Sequence, residues 1–135
     1  MKIESGNNFL QLEVSLEKDN TLPSYGDAYI TISVHSNGFS GKNDLWVGAE
    51  EFQEFCTSLV KLEKERKGEA TLNSISPGKL SLKIYSVDSL GHLAISGTTG
   101  YEVANIQHSL TFGFEFEPSQ LVKAVASPWV KQNAA

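Results

Sequence analysis

The side chains with chemistry to offer are three histidines, one cysteine and sixteen carboxylates. His35, His92 and His108 are widely separated and form neither an HxH nor an HExxH pair. Zinc sites bring three or four ligands together at characteristic short spacings. No cysteine or aspartate pairs with a histidine in this reading, so no metal is expected. His108 shares the phase of Leu110 and Phe112 and reads as a histidine of the core or of a sheet end. His35 reads as an ordinary exposed position.

Cys56 falls between Phe55 and Leu59 on the apolar side of a helical pattern. There it behaves as a small core residue, whereas a nucleophile needs exposure and a cationic neighbour. Ser40 sits in Gly38-Phe39-Ser40-Gly41, one residue short of GxSxG and without its strand-turn-helix setting. No GxGxxG or GxxxxGK[ST] loop is present to cradle phosphate. Glu115 and Glu117 share one strand face and read as a solvated pair rather than an acid and a base. The chain is therefore expected not to be an enzyme and to carry no cofactor.

Charge is more informative. The 135 residues carry a net charge of −5. Residues 1–60 hold nine acids and three bases, and part of this excess gathers at Asp44, Glu50, Glu51 and Glu54. An acidic chain lacks the clustered basic face that phosphate binding needs, so no nucleic-acid partner is expected. No apolar run approaches the ~20 residues that span a bilayer, so no membrane partner is expected either. One cysteine makes no intramolecular disulfide, and the polar start MKIESGNNFLQ is not a secretory signal. The expected location is the cytoplasm.

The elements that must hold these residues follow from periodicity. Leu10 to Leu16 and Ala28 to Val34 alternate apolar with polar, as half-buried strands do. Asn37-Gly38 predicts a tight turn into a strand over Phe39–Val47, broken by a bulge or loop at Gly41–Asp44. Phe52, Phe55, Cys56, Leu59 and Leu62 then recur at helical spacing and predict a helix over 49–66. Glu50 and Glu51 near its start and Lys64 and Arg66 near its end suit the helix dipole, and Gly68 suits its stop. Strands return over 70–75, 80–85, 92–97 and 108–116, while Thr98–Asn105 shows no period. Pro118 opens a short helix, Pro128 ends it, and Trp129 folds back as a plug. Short connections favour antiparallel pairing. The fold class is α+β: a twisted, mainly antiparallel sheet of about seven strands. One long helix lies on its apolar face and a short helix at the C-terminus. Residues 1–135 form a single domain with an ordered core over about 9–130.

This order of features resembles the WapI-type bacterial immunity proteins, a family that overlaps small domains of unknown function. The residues that carry the resemblance are Leu45-Trp46-Val47 before the helix, then Phe52, Phe55, Leu59 and Leu62 within it. The Gly68 break and the closing strand Leu110-Thr111-Phe112-Gly113-Phe114-Glu115-Phe116-Glu117 complete the set. The resemblance implies a bacterial, cytoplasmic, non-catalytic protein. It would bind and neutralise a cognate toxin, commonly a nuclease, by occlusion. Asp44, Glu50, Glu51 and Glu54 are the expected partner-binding residues, because an acidic surface suits a basic partner. The polar strand face of Tyr29, Thr31, Ser33 and His35 is the other candidate contact. The alternative function is small-molecule binding on a curved sheet face. That needs an apolar cleft of ~300 Å³ or more, with Trp46, Tyr85 and Trp129 as candidate lining.

Overall fold

Eight strands form, four before the long helix and four after it. The computed structural model describes all of residues 1–135. Strands β1 (Lys2–Ser5), β2 (Asn8–Leu16), β3 (Ala28–Ser36) and β4 (Phe39–Val47) form one antiparallel meander in chain order. Strands β5 (Glu69–Asn73), β6 (Leu80–Ser86), β7 (Leu93–Val103) and β8 (Ile106–Phe116) form a second. Helix α1 (Ala49–Glu65) joins the two sheets, and α2 (Pro118–Val125) and α3 (Pro128–Asn133) close the chain.

The α+β class, the antiparallel pairing, the long helix and the C-terminal helical segment agree with the sequence pattern. The division into two sheets does not appear in that pattern. Alternation says which side of a strand is buried, not which strand lies beside it. The extra strand, β1, is four residues long and places only Ile3 in the core. Its signal is too short to read by period.

A single cluster of 28 buried residues holds the molecule together. Sheet one contributes Leu10, Leu12, Ile30, Ile32 and Leu45, and sheet two contributes Leu82, Ile84, Ile95 and the row Phe112, Phe114, Phe116. Helix α1 adds Phe52, Phe55, Leu59 and Leu62, and packs against β5, α2 and α3. Phe112 has room because its cross-strand partner is Gly97. A Cβ there would lie 2.9 Å from the Phe112 ring and 2.5 Å from the Ser81 carbonyl oxygen.

Polar links also join the sheets. The Ser36 hydroxyl donates to the Gly113 carbonyl (2.9 Å) and accepts from its N–H (3.0 Å), clasping the end of β3 to the outer edge of β8. Asn43 Nδ2 on β4 donates to the Gly100 carbonyl (2.9 Å) and to Thr99 Oγ1 (3.1 Å) on β7.

These links explain where the strand pattern misled. No bulge interrupts β4, whose register with β3 is unbroken from Ser36–Phe39 to Ala28–Val47. Gly41 and Asn43 occupy inward positions where sheet two comes close. A Cβ on Gly41 would sit 3.1 Å from Leu110 Cδ2, and Asn43 spends its amide on β7. Similarly, β7 runs on through the stretch without period to Val103, and Ala104-Asn105 make the turn with φ of 52° and 64°. Pro128 begins α3 rather than only ending α2, and Trp129 packs on Phe52 with ring centroids 5.4 Å apart. Helix α1 stops at Arg66, which takes the left-handed conformation (φ 57°) ahead of Gly68.

Phe114 tests the shared core. Replacing it with alanine is expected to cost about 3–5 kcal/mol, as large-to-small changes in cores do. Chemical denaturation measures this directly, and a loss below ~1 kcal/mol would place the ring outside the core.

Candidate interaction surface

The inward set on α1 dictates which of its acids face out. With Phe52, Phe55, Cys56, Leu59 and Leu62 buried, Glu50 and Glu54 are exposed on the opposite side. They share a shallow hollow with Thr57 and Ala135. Glu51 is half-buried, and its Oε1 accepts from Asn73 Nδ2 of β5 at 3.3 Å. Asp44 stands on the outer face of β4 and accepts a hydrogen bond from the Tyr29 hydroxyl. None of the four takes part in an ion pair. The expected patch is thus divided: Glu50 and Glu54 share one hollow, Glu51 faces β5, and Asp44 belongs to the outer face of sheet one.

Asp27 is the carboxylate that caps the start of α1, a role without a signal in the local sequence. Its Oδ1 accepts from the Ala49 N–H at 2.9 Å, at the positive end of the α1 dipole. Gly48 occupies the N-cap position and has no side chain to offer. Asp27 lies 22 residues earlier in the chain, so no local motif announces it.

The outer face of sheet one is open. Tyr29, Thr31, Ser33 and His35 of β3 are all half-buried along it. Aromatic pairs mark both ends. Tyr29 meets Trp46 at 5.1 Å between centroids, and Phe9 stacks on His35 at 6.2 Å with the Lys2 ammonium 5.0 Å from the Phe9 ring. Trp46 is 41% exposed. The hydrogen bond to Asp44 raises the Tyr29 pKa, with desolvation adding to it. Between this face and β7 runs an open groove of about 720 Å³. Its charged lining is Glu13, Asp44 and Glu102 against Lys42 and Lys79, so it is polar and mixed in sign.

The aromatic residues considered for an apolar cleft do not meet. Trp46 is on the outer face of sheet one, Tyr85 lies under Lys83 on β6, and Trp129 is in α3 against Phe52. The largest groove contains one hydrophobic residue among its eight.

The reactive side chains are equally placed apart. Burial pushes the Cys56 thiol up to about 12, which leaves it without thiolate at neutral pH. His108 is exposed and stacks on Tyr101 at 5.4 Å, because the buried row ends at half-buried Leu110. His92 corrects the sequence reading, which gave it no aspartate. Asp88, one turn earlier, lies 2.6 Å from its Nδ1. No group of three or more His, Cys, Asp or Glu side chains converges on one point.

The Asp88 contact raises the His92 pKa above 6.5, with Glu115 and Glu117 adding to the field, and the same contact lowers that of Asp88 below 3.8. The stabilising contribution of His92 is complete below its unfolded pKa and is lost as pH rises through the raised value. That of Asp88 is complete above its unfolded pKa and is lost as pH falls through the lowered value. The pair therefore favours the turn across the interval between. An NMR titration of His92 is expected to give a midpoint above 6.5, and Asp88→Asn is expected to move it down. An unchanged midpoint in the variant would mean that the contact does not form.

A family model described as the immunity protein WapI-like family matches residues 2–127. No curated protein matches the chain, and no solved structure does.

Proposed function

The chain belongs to the immunity protein WapI-like family, and from that membership we propose that it binds and neutralises a cognate bacterial toxin in the cytoplasm. The action is occlusion, with no reaction catalysed. The toxin is a nuclease whose nucleic-acid groove is basic, and the occluding surface is acidic. Such a groove must attract phosphate, so a carboxylate surface competes for the same field and speeds encounter. No helix of the chain is long and apolar enough to cross a membrane.

One observation carries the acidic surface: Glu50 and Glu54 stand exposed, unpaired and one helical turn apart. Two like charges at that spacing cost a helix roughly 0.2–0.5 kcal/mol. The helix start does not need them as caps, because Asp27 already accepts from its first N–H. The dipole favours Glu50 in the first turn, but Glu54 lies beyond that turn and beside a like charge, and its place is best explained by what it meets. Glu51, on the β5 side, and Asp44, on the outer face of sheet one, would extend the acidic surface beyond this pair.

The test is charge reversal. Glu50→Lys combined with Glu54→Lys should leave the fold unchanged, since both side chains are in solvent. With a cognate toxin as partner, stopped-flow association is expected to slow by about tenfold or more at low salt, and the gap should close as salt rises. If the double variant binds and protects cells as well as the native protein, the contact lies elsewhere.

A further inference from the structure

A β-sheet ends in strands whose outward N–H and C=O groups need cover or a guarding charge, and three of the four sheet edges here have one or the other: Lys2 and Glu4 stand on β1, and Lys42 and Asp44 on β4. On β1 the Glu4 N–H donates to Gln120 Oε1 (3.1 Å). On β4 the Trp46 carbonyl accepts from the Ile75 N–H (2.8 Å). Helix α1 packs along β5.

The fourth edge, β8, is covered only in part. Gly113 turns its N–H and C=O away from β7 toward the Ser36 hydroxyl. Strand alternation then points the backbone groups of Thr111, Ser109 and Gln107 in the same direction. These groups make no hydrogen bond within the molecule. Residues 101–109 are all exposed, so this half of the β7–β8 hairpin projects as an arm beyond the core. Exposed edges are ordinarily guarded by charge, proline or a bulge. From Val103 to Phe114 there is no Asp, Glu, Lys, Arg or Pro, and the register with β7 has no bulge.

We propose that the open half of β8 is a self-association edge, and that its occupant is β8 of a second copy of this chain. Two features favour a second copy. The first is charge. Each chain carries −5, so copies repel over most orientations, and this segment brings two chains together with no charge in contact. The second is geometry. Antiparallel strands related by a two-fold axis are self-complementary. An axis through Ser109 pairs Gln107 with Thr111 and Leu110 with His108 across the interface. It also sets Ile106, 62% exposed, opposite Phe112 at the margin of the core. The two second sheets then join into one sheet of eight strands.

A strand of this length supplies far fewer than the ~20–30 residues a side of a standard interface, so the dimer is weak and concentration-dependent. This inference stands independently of the proposed function.

Sedimentation equilibrium of the purified protein from about 10 µM to about 1 mM covers the range of such association. The weight-average mass is expected to rise from 14.7 kDa toward twice that value. Ser109→Lys keeps the backbone donor and sets two like charges opposite each other on the axis, which are destabilising there. It is expected to weaken dimerisation at least about tenfold while thermal unfolding is unchanged. Ser109→Pro removes the central outward N–H and leaves the ladder to β7, as proline on an edge does. It should act the same way, and if it fails to fold, Ser109→Lys decides. A mass that stays at the monomer value at the highest concentration overturns the proposal. So does association that neither variant weakens.

Discussion

The rest of the structure depends on two sheets being held together over the row Phe112, Phe114 and Phe116. These rings belong to β8, the last strand and an edge strand, yet all three are buried in the cluster that also holds α1 and sheet one. Burial at an edge raises the cost of every backbone group that goes unpaired, because water is not there to satisfy it. The Ser36 hydroxyl answers this at Gly113 by giving and receiving one hydrogen bond. Asn43 does similar work on β7, where its amide reaches Gly100 and Thr99. Beyond Leu110 sheet one no longer covers the hairpin, and the arm begins.

A shared core of this kind displays its outer surfaces in fixed positions. Tyr29, Trp46 and Asp44 are set by the β3–β4 register, and Glu50 and Glu54 by the inward face of α1. A surface ordered before encounter loses little freedom on binding, which suits a protein of the immunity family whose task is to meet another protein. The single thiol is buried, and the one histidine with a carboxylate partner lies in an exposed turn.

Local physics was legible in the sequence, and long-range pairing was not. The helix over 49–66 was readable because five apolar residues recur on one face, and Glu50 and Glu54 faced outward as a direct consequence. The alternation in β2, β3 and β8 was equally plain. By contrast, Gly41 and Asn43 looked like a break because their partners, Leu110 and Gly100, are over fifty residues away. Asp27 was invisible as the helix cap for the same reason. His92 was overlooked although Asp88 is only four residues earlier, since a turn rather than a helix brings them together. The four predicted carboxylates were close in sequence, but a strand and a helix point them at different surroundings.

With one core shared between them, both sheets and α1 should unfold as one cooperative unit clasped at Ser36. The direct measurement is equilibrium unfolding of the native protein and of Ser36→Ala, followed by tryptophan fluorescence and by far-ultraviolet circular dichroism. A single coincident transition by both probes is expected. The Ser36→Ala variant is expected to lose about 1–3 kcal/mol, because two part-buried hydrogen bonds to Gly113, of about 0.5–1.5 kcal/mol each, are removed. Two separated transitions, or a variant as stable as the native protein, would contradict a single clasped unit.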